Sequence, residues 1–375
     1  MSYNMTNVLG ILFANAHDEA IPELTSNRAM GSVPFGGRFR LIDFQLSGMV
    51  NSGMSTVAVI TKENYQSLLD HIGSGRNWDL ARSDGGLTIL PPYGNVDAGR
   101  YTGKIDALYK AIGYIKKVDC EYVIISDCNV ITSSDYSRLI EAHIKCNADI
   151  TVLANTAEFT AKETEVSVTY SADESGRVRE VIINSAKAGV CSMGLNCYVL
   201  KKQLLIDLVS DLVPRGKYSW GKDVLQAKIN ELNIHMYEYT KEYVRITDLE
   251  SYYKASMELV NPDKVSKLIL KKRPVYTKIR DDAPAKYGLD SSVTNSMVAD
   301  GCVIDGIVEN SIIFRGVKIA KGAVVKNCIL MQDTVVGKNT RVSNIITDKQ
   351  VTIGDDLSIS SSGNYPLYIA KNRKL

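Results

Sequence analysis

Histidine is scarce in this chain. There are four among 375 residues, at His17, His71, His143 and His235, with no H-x-x-x-H spacing for a helical zinc site and no serine or cysteine partner for a nucleophilic triad. The seven cysteines (Cys120, Cys128, Cys146, Cys191, Cys197, Cys302, Cys328) include no C-x-x-C pair and are odd in number, which argues against a disulfide framework and a zinc site and leaves them as reduced core residues. No apolar run approaches the roughly 20 residues that span a bilayer. The N-terminus lacks the basic and apolar regions of a signal peptide, so a cytoplasmic protein without membrane contact is expected. Charge is balanced at a formal +2, and the basic clusters Lys271-Lys272-Arg273 and Lys371-Asn372-Arg373-Lys374 are short, which argues against a nucleic-acid partner.

What is present is length and two textures. A chain of this size suggests two domains. From Val8 to about Asp248, β-branched runs such as Thr56–Thr61, Tyr122–Ser126 and Ile150–Ala154 alternate with helical periods, among them Ile105, Leu108, Ile112 and Ile115. This is the pattern of an α/β, Rossmann-like, mostly parallel sheet with crossover helices, assigned to residues 1–255. Pro262, Pro274 and Pro284 mark a connecting segment at 256–290. Over 291–375, apolar residues recur at a spacing of six, in the series Ile307, Ile313, Ile319, Val325 and Val324, Leu330, Val336, Val342. A six-residue period predicts a parallel β-helix whose repeated apolar position points inward; a sandwich of short strands is the alternative that this regularity disfavours.

Several ordered motifs then carry a resemblance. The buried run Val8–Ala14 leads to Pro34-Phe35-Gly36-Gly37-Arg38-Phe39-Arg40-Leu41-Ile42-Asp43-Phe44, and these are followed by Asn51-Ser52-Gly53, Trp78-Asp79-Leu80, Ile89-Leu90-Pro91-Pro92-Tyr93, Asp106-Ala107, Gly221-Lys222-Asp223, Asp248-Leu249-Glu250-Ser251-Tyr252 and Cys302-Val303-Ile304. Together they resemble the ADP-glucose pyrophosphorylases (glucose-1-phosphate adenylyltransferases). That resemblance implies a nucleotidyltransferase domain followed by a left-handed parallel β-helix serving regulation and assembly.

The chemistry-bearing positions depart from the family pattern. The first turn, G-G-x-G-T-R-L in the family, reads Asn15-Ala16-His17-Asp18-Glu19-Ala20-Ile21, which puts Asp18 beside a polyanion and Ala20 at the loop arginine. The following K-P pair falls on Met30-Gly31. One metal-binding aspartate is retained as Asp127, at the carboxyl end of a strand, where it could equally cap the next turn; the other is Arg245. At about 4 Å and an effective dielectric near 20, a like-charge contact costs about 4 kcal/mol, so Arg245 opposes Mg²⁺ and is expected to pair with Asp127 instead. The lysine that meets the sugar phosphate falls on Asn184, whereas Ser192, Gly194 and Asp223 lie in segments that still resemble the sugar-binding side. Arg40 and Lys349 are expected to anchor a phosphorylated metabolite effector; the alternative is that they are surface or packing cations.

These departures resemble the accessory D-type subunits of the family. The resemblance implies a catalytically degenerate regulatory subunit in glycogen synthesis, with no cofactor of its own, no metal site, and a catalytic C-type partner in a hetero-oligomer, expected to be a heterotetramer. Mg²⁺ would be needed only by that partner. Two other readings stay open. An active sugar-phosphate nucleotidyltransferase with a rearranged site would need another cation near Asp127. A β-helix transferase or scaffold is disfavoured because no histidine follows His235.

Overall fold

A computed structural model describes residues 3–91, 101–269, 271–361 and 365–375. Pro92 and Tyr93 of the Ile89–Tyr93 motif lie outside the described residues.

The strand Val8–Phe13 is buried along its whole length and sits inside a nine-stranded sheet. It pairs in parallel with Thr56–Ile60 on one side and Tyr122–Asp127 on the other. A Cβ on Gly10 would lie 2.5 Å from the sulfur of Met49, on the helix Leu41–Asn51 packed across it, so a larger residue there would need the Met49 side chain to shift. Beyond Tyr122–Asp127 the sheet becomes mixed. The long strand Gly189–Lys201 runs antiparallel to it and to Ile150–Phe159, and the hairpin Val168–Ala172/Val178–Ile183 extends that edge. The expected helix through Ile105 to Ile115 is two helices, Lys104–Lys110 and Ile112–Lys117, with Ile105, Leu108 and Ile115 buried on the sheet.

Chain direction fixes the site. Phe13 stands opposite Asp127 in the parallel register, so the loop leaving the first strand and the carboxylate ending its neighbour emerge side by side at the carboxyl edge.

The helices Leu249–Glu258 and Pro262–Leu268 follow. Asp248 caps the first, accepting from the Ser251 N–H at 2.7 Å. Leu249, Tyr252 and Leu259 share one core with Met30, Phe35 and Phe44 of the sheet domain and with Ile312, Ile329 and Ile346 beyond it. From Lys286 the chain winds into a left-handed parallel β-helix made of three five-stranded parallel sheets.

The inward stacks are Ile304, Ile319, Val336 and Ile353, then Val308, Val325 and Val342, then Ile313 and Leu330, all buried. Two positions of the six-residue pattern therefore sit off the core. Ile307 is 37% exposed and Val324 only half-buried, while Val308 and Val325 point inward. The reason is that from Val308 onward stacked residues are 17 apart, as with Val325 on Val342, so one step per coil is five residues, whereas the coil from Ile304 to Ile319 spans 15. That shorter step follows a corner where Asn310, Asn327 and Asn344 adopt left-handed backbone. Their side chains form a ladder, Asn295 donating to Asn310 at 2.9 Å and Asn310 to Asn327 at 2.6 Å.

Candidate functional site

The loop after the first strand is folded onto itself. Asp18 accepts from the Met30 N–H at 2.7 Å and from Asn15 Nδ2 at 2.6 Å, and the Gly31 N–H donates to the Ala14 carbonyl at 2.9 Å. Within the turn itself, the Ala20 N–H donates to the His17 carbonyl at 3.1 Å. Burial raises the Asp18 carboxyl to about 6, against the hydrogen bonds from Asn15 and Met30. Met30 is a core side chain, 1% exposed, and Ala20 packs on the same core. Asn184 is exposed at the hairpin end, with its N–H on the Ser167 carbonyl.

Asp127 is fully buried, and one oxygen serves two partners: Lys104 Nζ at 2.6 Å and His17 Nε2 at 2.7 Å. Burial pushes its carboxyl upward, but the Lys104 charge and the His17 hydrogen bond outweigh this and hold it below the usual range. Asn196 Nδ2 lies 3.3 Å from the same histidine nitrogen.

Arg245 does not make the expected pair with Asp127. It ends the strand Tyr243–Arg245, which runs antiparallel to Val130–Thr132, and its guanidinium reaches toward the hairpin, donating to Ser167 Oγ, to the Met193 sulfur and to the Val166 carbonyl at 2.8 Å. Lys104, at the first turn of its helix, fills the place beside Asp127. Lys104 and His17 are the residues sequence reasoning missed. The available signals were a lysine two positions before the Asp106-Ala107 motif and a histidine inside the altered loop.

A divalent cation does not fit this arrangement. One Asp127 oxygen is occupied by an ammonium and an imidazole, and although the other, Oδ1, is buried without a hydrogen-bond partner, among the described residues no group of three His, Cys, Asp or Glu side chains gathers there that could hold a metal.

On the sugar side, a cleft of about 570 Å³ is lined by Lys104, Asn196, Tyr198, Trp220, Lys222 and Asp223. Asp223 caps the turn behind it, accepting from the Ser219 N–H at 2.8 Å. Ser192 and Gly194 are not among the residues that line this cleft, and Gly194 is buried. The Ser192 hydroxyl is 2.8 Å from Thr156 Oγ1, which donates to Glu238, and a Cβ on Gly194 would lie 3.0 Å from the Tyr170 ring.

Arg40 and Lys349, distant in sequence, meet in a cavity of about 350 Å³ between the sheet domain and the β-helix, together with Arg38, Lys278, Arg280 and Arg315. Asp70 and His71 also face it. Arg40 is held by the Ser67 carbonyl and hydroxyl, and burial lowers it to about 10. Burial, followed by repulsion from Arg40 and Arg28, lowers Lys349 to about 7. Next to it, the buried pair Arg28–Asp348 joins the two domains through two 2.8 Å hydrogen bonds.

Comparison with known proteins follows this division of the chain. Residues 21–261 match the nucleotidyl transferase family and residues 282–364 the GlmU-like, C-terminal hexapeptide family. The "Glycogen biosynthesis protein GlgD" of Geobacillus stearothermophilus is 35% identical over 84% of this chain and 82% of its own length. The protein of the same name from Bacillus subtilis is 31% identical over 84% and 81%. The "Glucose-1-phosphate adenylyltransferase" of Geobacillus stearothermophilus is 33% identical over 84% and 82%.

Proposed function

This chain belongs to the nucleotidyl transferase family, in the group formed by GlgD proteins and glucose-1-phosphate adenylyltransferases, and on that premise we propose that it acts in glycogen synthesis as a catalytically degenerate regulatory subunit. The observation that carries this reading is that one oxygen of Asp127 is taken by the chain's own Lys104 ammonium and His17 imidazole. In-line nucleotidyl transfer needs a metal to offset charge on the triphosphate and open donors to cradle it. Here the carboxylate is already paired, the Met30 N–H belongs to Asp18, and Ala20, Met30 and Asn184 bring no cation.

Its partner is a catalytic C-type homologue in a heterotetramer, to which the β-helix contributes assembly surface. Coexpression with such a homologue, followed by kinetics of the complex and of each chain separately, is expected to give a stable hetero-oligomer whose response to effectors differs from that of the catalytic chain alone. Identical kinetics with and without this chain would count against the reading.

One observation favours the second reading. Lys104 is the additional cation near Asp127 that a rearranged active site would need. A single ammonium paired to a carboxylate supplies much less positive charge than a divalent ion, which keeps the degenerate reading ahead.

The cationic cavity at Arg40 and Lys349 would take the phosphorylated effector. Sulfate, whose charge is constant near neutrality, is the convenient probe. Bound sulfate favours the charged lysine, so its affinity is expected to fall by up to about tenfold as pH rises through about 7, where Lys349 loses its proton. Titration calorimetry of Lys349→Met should show weak sulfate binding without this pH dependence. A pH-independent wild type would remove Lys349 from the site. In the free protein the sign for stability is opposite: an unfolded chain binds the extra proton between about 7 and 10.5, so this group's contribution to stability rises with pH across that window.

A further inference from the structure

Lys349 stands where an ammonium is poorly placed. Five other cations, Arg38, Arg40, Lys278, Arg280 and Arg315, line the same 350 Å³ cavity, and Asp70 is the one carboxylate among its described lining residues. Other acids around the cavity are engaged. Asp348 gives its oxygens to Arg28, to the Tyr368 hydroxyl and to the Lys349 backbone N–H, and Asp282 lies 3.5 and 3.8 Å from Arg280 and Arg315. His71, which also faces the cavity, turns its Nε2 to Asp43 at 2.6 Å. The Lys349 side chain is half-buried and, among the described residues, makes no ion pair or hydrogen bond of its own. Burial, the positive charges of Arg40 and Arg28 and the more distant Lys371 outweigh Asp348 and bring this amine to about 7, so near neutrality a large fraction carries a free lone pair. An uncharged amine is a nucleophile, and a cavity rich in guanidinium groups favours a product that bears negative charge.

We propose that Lys349 is a carbamate site, at which carbon dioxide adds to Nζ and reverses the charge that this side chain presents to the cavity. The Nζ lone pair forms an N–C bond, one C–O π pair moves onto oxygen, and a proton leaves the nitrogen for water, so that a neutral amine and CO₂ give N–COO⁻ and H⁺. The two carbamate oxygens then face guanidinium and ammonium groups, where the ammonium faced like charges. Carbon dioxide is small and uncharged and enters without a counter-charge. The proposal extends the reading of this cavity as an effector site, because a carbamate repels a dianion bound beside it, which makes carbon dioxide an antagonist of the anionic effector.

The test is ¹³C NMR of full-length protein equilibrated with ¹³C-labelled CO₂, with alkylative trapping and peptide mass spectrometry to locate the adduct. A carbamate on Lys349 is expected, and at constant dissolved CO₂ its occupancy should rise with pH through about 7, since only the unprotonated amine reacts. Lys349→Arg and Lys349→Met should both lack it. Sulfate titration calorimetry reads the consequence. At a pH of about 8 and matched ionic strength, CO₂ should weaken sulfate binding to the wild type about tenfold or more and leave the weaker binding of Lys349→Met unchanged. Three results would each overturn the proposal: no adduct on Lys349, a carbamate signal undiminished in Lys349→Arg, or equal competition in the wild type and Lys349→Met, which would mean that bicarbonate fills the cavity as a simple anion. If the Lys349 adduct forms but sulfate binds to none of these proteins, the effector reading falls and the modification stands.

Discussion

Arg28→Ala is expected to lower the unfolding free energy by about 3–5 kcal/mol, the usual cost of leaving one half of a buried ion pair behind. Arg28 and Asp348 are 3% and 2% exposed, and the guanidinium spends two hydrogen bonds on the carboxylate. Without Arg28, Asp348 keeps only neutral partners, the Tyr368 hydroxyl at 3.0 Å and the Lys349 N–H at 2.7 Å. Neither brings positive charge. The pair lies within the apolar region that joins sheet domain to β-helix, so its loss should loosen the cavity at Arg40 and Lys349 as well. Replacing Arg28 and Asp348 together by apolar residues of similar volume should cost much less, because no charge is then stranded. Denaturant unfolding of the single and double variants decides the matter. A loss below about 1 kcal/mol for Arg28→Ala would show that the pair is effectively solvated.

Arg245→Asp, which returns a carboxylate to the position of the second metal ligand, is expected to leave ADP-glucose synthesis at least about 10³-fold below the turnover of ordinary enzymes. The new carboxylate would project toward Ser167 and Met193, and Lys104 and His17 would still occupy Asp127. The loop would still present Asp18, with no cation at Ala20, Met30 or Asn184. Groups that act as a unit are not recovered one at a time. The variant should also lose about 1–3 kcal/mol of stability, since the Arg245 guanidinium ties the Val166 carbonyl and the Ser167 hydroxyl to the strand ending at residue 245. Steady-state assays with Mg²⁺, glucose 1-phosphate and ATP measure the first effect and thermal unfolding the second. Ordinary turnover from this single change would mean that the loop and the sugar side are competent.

The sequence carries the fold well, because periodicity reports burial directly. Alternation of β-branched runs with helical spacing locates the strands Thr56–Ile60 and Tyr122–Asp127, and the recurrence of Ile313, Ile319 and Val325 marks the β-helix. It fails by one residue at Ile307 and Val324, where asparagine corners shorten a step, a geometry set by stacking between coils and invisible in a single run of sequence. The site stands out in the sequence as departures from the pattern that the resemblance implies, at Asp18, Ala20, Met30, Asn184 and Arg245, but what surrounds these positions depends on three-dimensional competition. Arg245 and Lys104 are both cations within reach of the sheet edge. A lysine at the start of a helix faces Asp127, whereas an arginine on the Tyr243–Arg245 strand is drawn to the hairpin. Likewise the meeting of Arg40 with Lys349 follows from how the β-helix docks, which local sequence does not encode.

The most direct measurement is the rate of ADP-glucose formation by the purified chain alone, with saturating ATP, glucose 1-phosphate and Mg²⁺ and with activating anions present. Because phosphate cradle, phosphate cations and metal site are all altered, turnover at least about 10³-fold below the ordinary range of roughly 1–10³ per second is expected. Turnover within that range by the unaided chain would contradict the degenerate-subunit reading and make Lys104 part of a working, rearranged active site.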